Sequence, residues 1–459
     1  MLLKRTSTDC RTVTLRILAL SLAATLAIAA SPAPALGEVR TSDIILGKTA
    51  EERGIDTSEL PDLVCPHAML MTQDGTVLFE RDADAPIRIA STTKVMTALL
   101  ALENCELTDI VTVDHAAATV GESNVKLQEG DTLTMEEALT GLMVHSGNDA
   151  AMAIATTVGA RIDPSSNNPF QTFVDAMNKR AQELGCTDTL FENPHGLDFN
   201  GWEGDLHSTA RDVLTIYAAA MKNDDFRRIN NSDRTDMHVT SADGTERTVE
   251  LTVRNEIQGQ QGNIGGKTGS TYEAKRCFVG AFSRENGGEV YVAVFGDETS
   301  EERFGDTLAL ANWYYDHLAE IPLVNTNATY GGKPLVAEAT CLDWTDKTVL
   351  VTAKEPDAEV VVFSLAGPLE QTVDLKDYSG AVKRGASAGA VTYTQDGVEV
   401  GSVELVTAEP VEEPTLFDSL MIQFDRLIRF FKGEPSTAES SVYCEAPDPL
   451  ACDNWNPEE

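Results

Sequence analysis

The sequence predicts an α+β fold built on an antiparallel sheet with helices, followed by a small all-β unit. Three observations carry this. Gly-containing turns sit between apolar runs at two places far apart in the chain. Stretches of helical periodicity lie between those places. Beyond Pro322 the helical period gives way to short alternating segments.

The elements follow in order. Residues 68–71 and 77–80 flank Asp74-Gly75, the mark of a β-hairpin. Ser91 opens a helix in which Val95, Met96, Leu99, Leu100 and Leu102 recur near 3.6-residue spacing. Thr134 with Glu137 reads as a capping box ahead of Ala138, Leu139, Leu142 and Met143. That helix stops at Ser146-Gly147-Asn148, and a further helical run, 150–155, follows. Residues 278–282 and 290–295 flank Asn286-Gly287-Gly288, a second hairpin. These elements make 38–320 one unit. Residues 321–410 read as the β-rich unit, with strands near 349–351, 360–363, 391–393 and 398–405 and a turn at Asp396-Gly397. A linker at 411–414 leads to an amphipathic helix over 416–431, whose segment is taken as 411–432. Residues 433–459 are Pro-rich and acidic with no Lys or Arg, so disorder is expected there.

The ends and the charge set the compartment. Lys4, Arg5, Arg11 and Arg16 precede an apolar run over 17–30, and Ala33, Ala35 and Gly37 then offer small residues for cleavage. Residues 1–37 therefore read as an export signal, with an uncleaved anchor as the alternative. The run is short for a membrane span. A formal charge of −38 repels nucleic acid and argues against a phosphate-binding role. Seven cysteines follow Cys10, and none forms a C-x-x-C pair, so no zinc site of that spacing is expected. Cys444 and Cys452 are close enough in sequence to pair, which spacing alone leaves open.

Three short segments carry chemistry. In Ser91-Thr92-Thr93-Lys94, residues three apart share a helix face. A serine hydroxyl needs a base, and a lysine serves as one when burial or a nearby cation keeps it neutral. The start of a helix also favours developing negative charge. Alone the pattern is weak, since S-x-x-K arises about once or twice by chance in such a chain; its bland counterpart is a capped helix with a surface lysine. Ser146-Gly147-Asn148 can relay a proton and orient an amide, or be a plain turn. In Gly265-Gly266-Lys267-Thr268-Gly269-Ser270-Thr271, Lys267 and Thr268 can hold a carboxylate, and Gly269 lets a peptide approach the backbone; a glycine-rich bend is the alternative.

Together the order S-x-x-K, S-x-N, K-T-G is the signature set of penicillin-binding proteins and serine β-lactamases. Over about residues 60–432 the chain resembles the low-molecular-mass D-alanyl-D-alanine carboxypeptidases. Asn193-Pro194-His195-Gly196-Leu197 and residues 207–212 look like further segments of that family. The resemblance implies a penicillin-binding/serine β-lactamase-like transpeptidase domain. It implies Ser91 as nucleophile, Lys94 as base, Ser146 as proton relay and Asn148 as a positioning group. It also implies Lys267, Thr268 and Arg303 at the substrate carboxylate, with Lys267 holding down the pKa of Lys94. Gly269 would lie along the substrate, and the N–H groups of Ser91 and Ser270 would bind the oxyanion. No metal or organic cofactor is implied. The implied partners are the peptidoglycan stem peptide, β-lactams as covalent inhibitors and the outer face of the cytoplasmic membrane. The alternatives are a secreted serine β-lactamase and a non-catalytic wall-binding scaffold; the glycine of Ser146-Gly147-Asn148 and the extra β unit favour the carboxypeptidase.

Two other patterns compete. Gly385-Ala386-Ser387-Ala388-Gly389 matches a nucleophile elbow, but the alternating run that follows predicts a strand where an elbow needs a helix. His145, His195 and His207 suggest a Ser-His-Asp triad, which the lysine makes unnecessary.

Overall fold

The computed structural model describes residues 40–285 and 287–452. The expected export segment lies outside them. In chain order the strands of the first unit are β1 (Ile44–Ile45), β2 (Lys48–Thr49), β3 (His67–Thr72), β4 (Val77–Arg81), β5 (Ile110–Thr112), β6 (Thr132–Thr134), β7 (Asp236–Thr240), β8 (Glu246–Glu250), β9 (Asn263–Thr271), β10 (Lys275–Arg284) and β11 (Gly288–Asp297). Seven form one sheet in the order β2-β1-β4-β3-β11-β10-β9, with every neighbouring pair antiparallel. Strands β5 to β8 make a separate small sheet. Both hairpins read from the sequence are present, as β3–β4 and β10–β11.

Helices cover both faces of the large sheet. Along β11, Tyr291, Ala293 and Phe295 pack into the core shared with helices Lys94–Asn104, Met135–Met143, Asn148–Ile162 and Ala210–Ala220. Val290, Val292 and Val294 face the opposite core, closed by helix Ser300–Asp316 through Phe304, Leu310 and Trp313. A strand buried on both faces reads as a continuous apolar run, as 290–295 does.

Two local expectations are corrected. The Thr134 hydroxyl accepts from the Glu137 N–H at 3.2 Å, but Glu137 does not return the bond. Its carboxylate instead accepts from Arg234 at 2.8 Å and from the His238 N–H at 3.1 Å, tying the helix start to the neighbouring strand. Ser91 does not begin an α-helix either. It sits in a 3₁₀ turn, Ala90–Thr93, and α-helix starts at Lys94.

The β-rich unit begins slightly earlier than the sequence suggested. Strand Leu318–Pro322 already pairs with Glu359–Phe363. The main sheet there has six strands around Val349, Val351, Val391, Tyr393 and Leu405. Ser387 starts strand Ser387–Gln395 and accepts from Lys376 Nζ, so the elbow reading fails. Helix Leu416–Lys432 opens with a capping box between Thr415 and Asp418. The tail is not disordered over its described part. Strand Ser441–Val442 adds to the sheet edge beside Ala337 and Glu338, and Cys444 is buried in the β core. Acidic composition concealed this edge strand, which gains its order from paired backbone and the Cys444 side chain.

Candidate active site

The 3₁₀ turn bearing Ser91 is fixed by close backbone packing. Ala90 has φ +47°, a conformation that costs an L-residue about 1–2 kcal/mol. Gly196 lies against it: a Cβ there would stand 1.8 Å from the Ala90 carbonyl oxygen. On the other side, a Cβ at Gly269 would lie 2.9 Å from the Ile89 carbonyl oxygen. Gly269 therefore lets β9 seat against the serine turn, a packing role beyond the substrate approach expected of it.

Lys94 Nζ donates to Ser91 Oγ at 2.8 Å, to Asn148 Oδ1 at 2.8 Å and to the His195 carbonyl at 3.0 Å. Lys94 has no exposed surface, and burial brings its pKa down to about 7, opposed by the Asp149 carboxylate. A lysine in this state accepts a proton near neutral pH. The His195 carbonyl is aimed by its loop: Asn193 Oδ1 accepts from the His195 and Gly196 N–H groups at 3.2 and 2.7 Å. Pro194 of the same loop accepts from Thr97 Oγ1 at 2.6 Å.

Ser146 lies where helix Met135–Met143 breaks and Asn148–Ile162 begins, in a left-handed conformation with φ +68°. Lys267 Nζ donates to Ser146 Oγ at 2.8 Å and to the Thr268 carbonyl at 2.7 Å. Lys267 is fully buried, and burial, then the charges of Lys94, Arg303 and Arg254, hold it well below the usual lysine range. The charge of Lys94 thus bears on Lys267, while Lys94 itself is set by burial against Asp149.

These groups border a cleft of about 280 Å³ lined in part by Ser91, Ser146, Thr268, Gly269, Ser270 and Arg303. Arg303, on helix Ser300–Asp316, donates toward the Gly269 carbonyl at 3.4 Å and Ser300 Oγ at 3.2 Å. Lys94, Asn148 and Lys267 stand behind this wall. The cleft also contains Ser123, Arg254, Glu256 and Arg276, which sequence reasoning missed. Arg276 bonds Ser270 Oγ from the adjacent strand. Asp149 was missed too; it accepts from the Val125 and Leu127 N–H groups at 3.0 Å each and so holds the loop beneath the cleft. Its signal was an acid directly after Asn148 at a helix start. The histidines form no triad: His195 is buried and held neutral, its ring edge-on to Trp202, and His145 Nδ1 accepts from the Thr252 N–H.

The family model for D-alanyl-D-alanine carboxypeptidase matches residues 55–299. The chain belongs to that family. It is a serine-type carboxypeptidase. The D-alanyl-D-alanine carboxypeptidase DacF of Bacillus subtilis is 26% identical over 375 residues, covering 79% of this chain and 90% of the relative. The crystal structure of a Streptomyces DD-transpeptidase matches with TM-score 0.51 and 32% identity, over 55% of this chain and 97% of that one. DacD from Francisella tularensis, at 21% identity and TM-score 0.52, shares the fold over 76% of this chain and 94% of its own.

Proposed function

We propose that this carboxypeptidase removes the terminal D-alanine from peptidoglycan stem pentapeptides through an acyl-enzyme on Ser91, and that β-lactams acylate the same serine. The carrying observation is the 2.8 Å bond between buried Lys94 Nζ and Ser91 Oγ. Neutral Lys94 takes the hydroxyl proton as Oγ attacks the D-Ala–D-Ala carbonyl. The N–H groups of Ser91 and Ser270 receive the oxyanion, a role typically worth about 3–4 kcal/mol per donor. Ser146, fed by Lys267, passes a proton to the leaving amine as the peptide bond breaks. Asn148 orients Lys94, and Thr268 with Arg303 holds the free carboxylate at the cleft wall. Water then attacks the ester and returns Ser91.

Residues 38–320 are the catalytic unit in this reading, with the β-rich unit holding helix Leu416–Lys432 away from it. Phe417, Leu420, Met421, Phe424, Leu427, Ile428 and Phe431 are exposed on that helix, and Arg426, Arg429 and Lys432 sit at its end. Such a helix fits the outer face of the cytoplasmic membrane, lying flat. Among the described residues no helix is long and apolar enough to cross a membrane. Incubation with a synthetic pentapeptide ending in D-Ala-D-Ala tests the reading: the chain should release one D-alanine per peptide, and Ser91→Ala none. A wild-type chain that releases no D-alanine contradicts it.

A further inference from the structure

Away from the cleft, three acidic groups meet inside the protein. Cys65 comes from the segment entering β3, Asp297 ends β11, and Asp306 lies on helix Ser300–Asp316. The Cys65 sulfur and one oxygen from each carboxylate lie within 4.8 Å of one another. The residues are only 1%, 2% and 5% exposed. Asp306 is anchored, since its Oδ2 accepts from the Val64 and Cys65 N–H groups at 2.8 and 2.6 Å. Asp297 differs: both of its oxygens are buried with no N–H or neutral O–H donor, and its carboxyl faces only that of Asp306.

Arg81 and Arg303 act on the cluster by charge but donate their hydrogen bonds elsewhere. Arg81 is engaged by Asp43 through Nε and Nη2, and its Nη1 by the carbonyls of Leu63 and Cys65. Arg303 faces Gly269 and Ser300. Among the described residues neither aspartate joins an ion pair. Burial and mutual repulsion push Asp297 up to about 8 and the Cys65 thiol well up. Three acids so placed require protons or a cation. The thiol bonds Asp306, and a proton shared by the two carboxyls would use one oxygen of Asp297 and leave its other oxygen without a partner. A cation draws on all three groups.

We propose that Cys65, Asp297 and Asp306 bind one zinc ion that staples the entry to β3, the end of β11 and helix Ser300–Asp316 together. A thiolate with two carboxylates is a donor set suited to a borderline-soft divalent ion. Zinc places sulfur at about 2.3 Å and carboxylate oxygen at about 2.0–2.2 Å, so the ligands close on it by shifts of about 1 Å. Binding releases the thiol proton and any proton on the carboxyls, and therefore weakens as pH falls. Asp306 is one helical turn beyond Arg303, so the staple fixes the helix that carries Arg303 to the cleft. The ion takes no part in the reaction.

The intact chain is exposed to zinc, passed through a desalting column and measured for metal content by mass spectrometry. One zinc per chain is expected for the wild type, and none for Cys65→Ala or Asp297→Asn. Cobalt(II) loading of the wild type gives a second readout independent of whether the variants fold: a near-ultraviolet sulfur-to-cobalt charge-transfer band is expected and should fade below neutral pH. Folding of each variant is checked by circular dichroism and a denaturant melt, which do not depend on the cleft. A wild type that retains no zinc and shows no such band overturns the proposal and leaves the carboxyls sharing a proton. Zinc retained equally by folded Cys65→Ala overturns it as well.

Discussion

Lys94 Nζ lies 2.8 Å from Ser91 Oγ, and it does so with no surface exposed to water. Burial lowers the lysine to about 7, so the neutral form that accepts a proton predominates above that pH and vanishes below it. The acylation rate should accordingly rise through pH 7 and level off above it. Stopped-flow acylation by a penicillin across pH 5–9 reads this directly; a rate that is flat from 5 to 9 contradicts the assignment of Lys94 as base. Lys94→Ala should reduce acylation by about 10²–10⁴-fold, the usual worth of a positioned base.

Asp149 opposes the depression of Lys94 while tying down the 125–127 loop. Asp149→Asn should move the ascending limb of the profile to lower pH, because a negative charge that favours protonated Lys94 is gone. It should also cost about 1–3 kcal/mol of stability by weakening buried hydrogen bonds. Denaturant melts and the pH profile separate the two effects.

Lys267→Ala should lower turnover of the peptide by removing the donor to Ser146 Oγ, yet leave the limb near pH 7 in place. A marked shift of that limb would mean that the charge of Lys267 bears on Lys94.

At Gly196 an added methyl meets the Ala90 carbonyl, and φ +85° strains any other residue. Gly196→Ala should therefore displace the serine turn, lower the melting temperature and suppress acylation together. Retained acylation at wild-type rate would show that the turn tolerates movement.

Membrane attachment is best tested by point changes. Truncation from Pro414 would also strip the edge strand and buried Cys444 from the β unit. Replacing Leu420, Phe424 and Phe431, all exposed, with Gln should abolish co-sedimentation with anionic vesicles while D-alanine release persists. Continued sedimentation of this variant would place attachment elsewhere.

Ser91, Lys94, Ser146, Asn148 and Lys267 were legible because each motif is short and local, and their order along the chain fixed the set. The hairpins 68–80 and 278–295 were legible for the same reason, from turns between apolar runs. What escaped depends on contacts through space. The His195 carbonyl reaches Lys94 across 101 positions. The Glu137 carboxylate turns from the Thr134 N–H to Arg234. Arg254 and Arg276 reach the cleft from separate elements, and no spacing rule joins them to Ser91. The 441–442 strand is too short to register against its acidic surroundings.

The central claim is that Ser91 is the nucleophile that Lys94 activates. Its most direct test is peptide mass mapping after incubation with a penicillin. The expected result is one adduct per chain, carried on the peptide that contains Ser91, and no adduct in Ser91→Ala. An adduct on any other residue, or one that survives in Ser91→Ala, contradicts the claim.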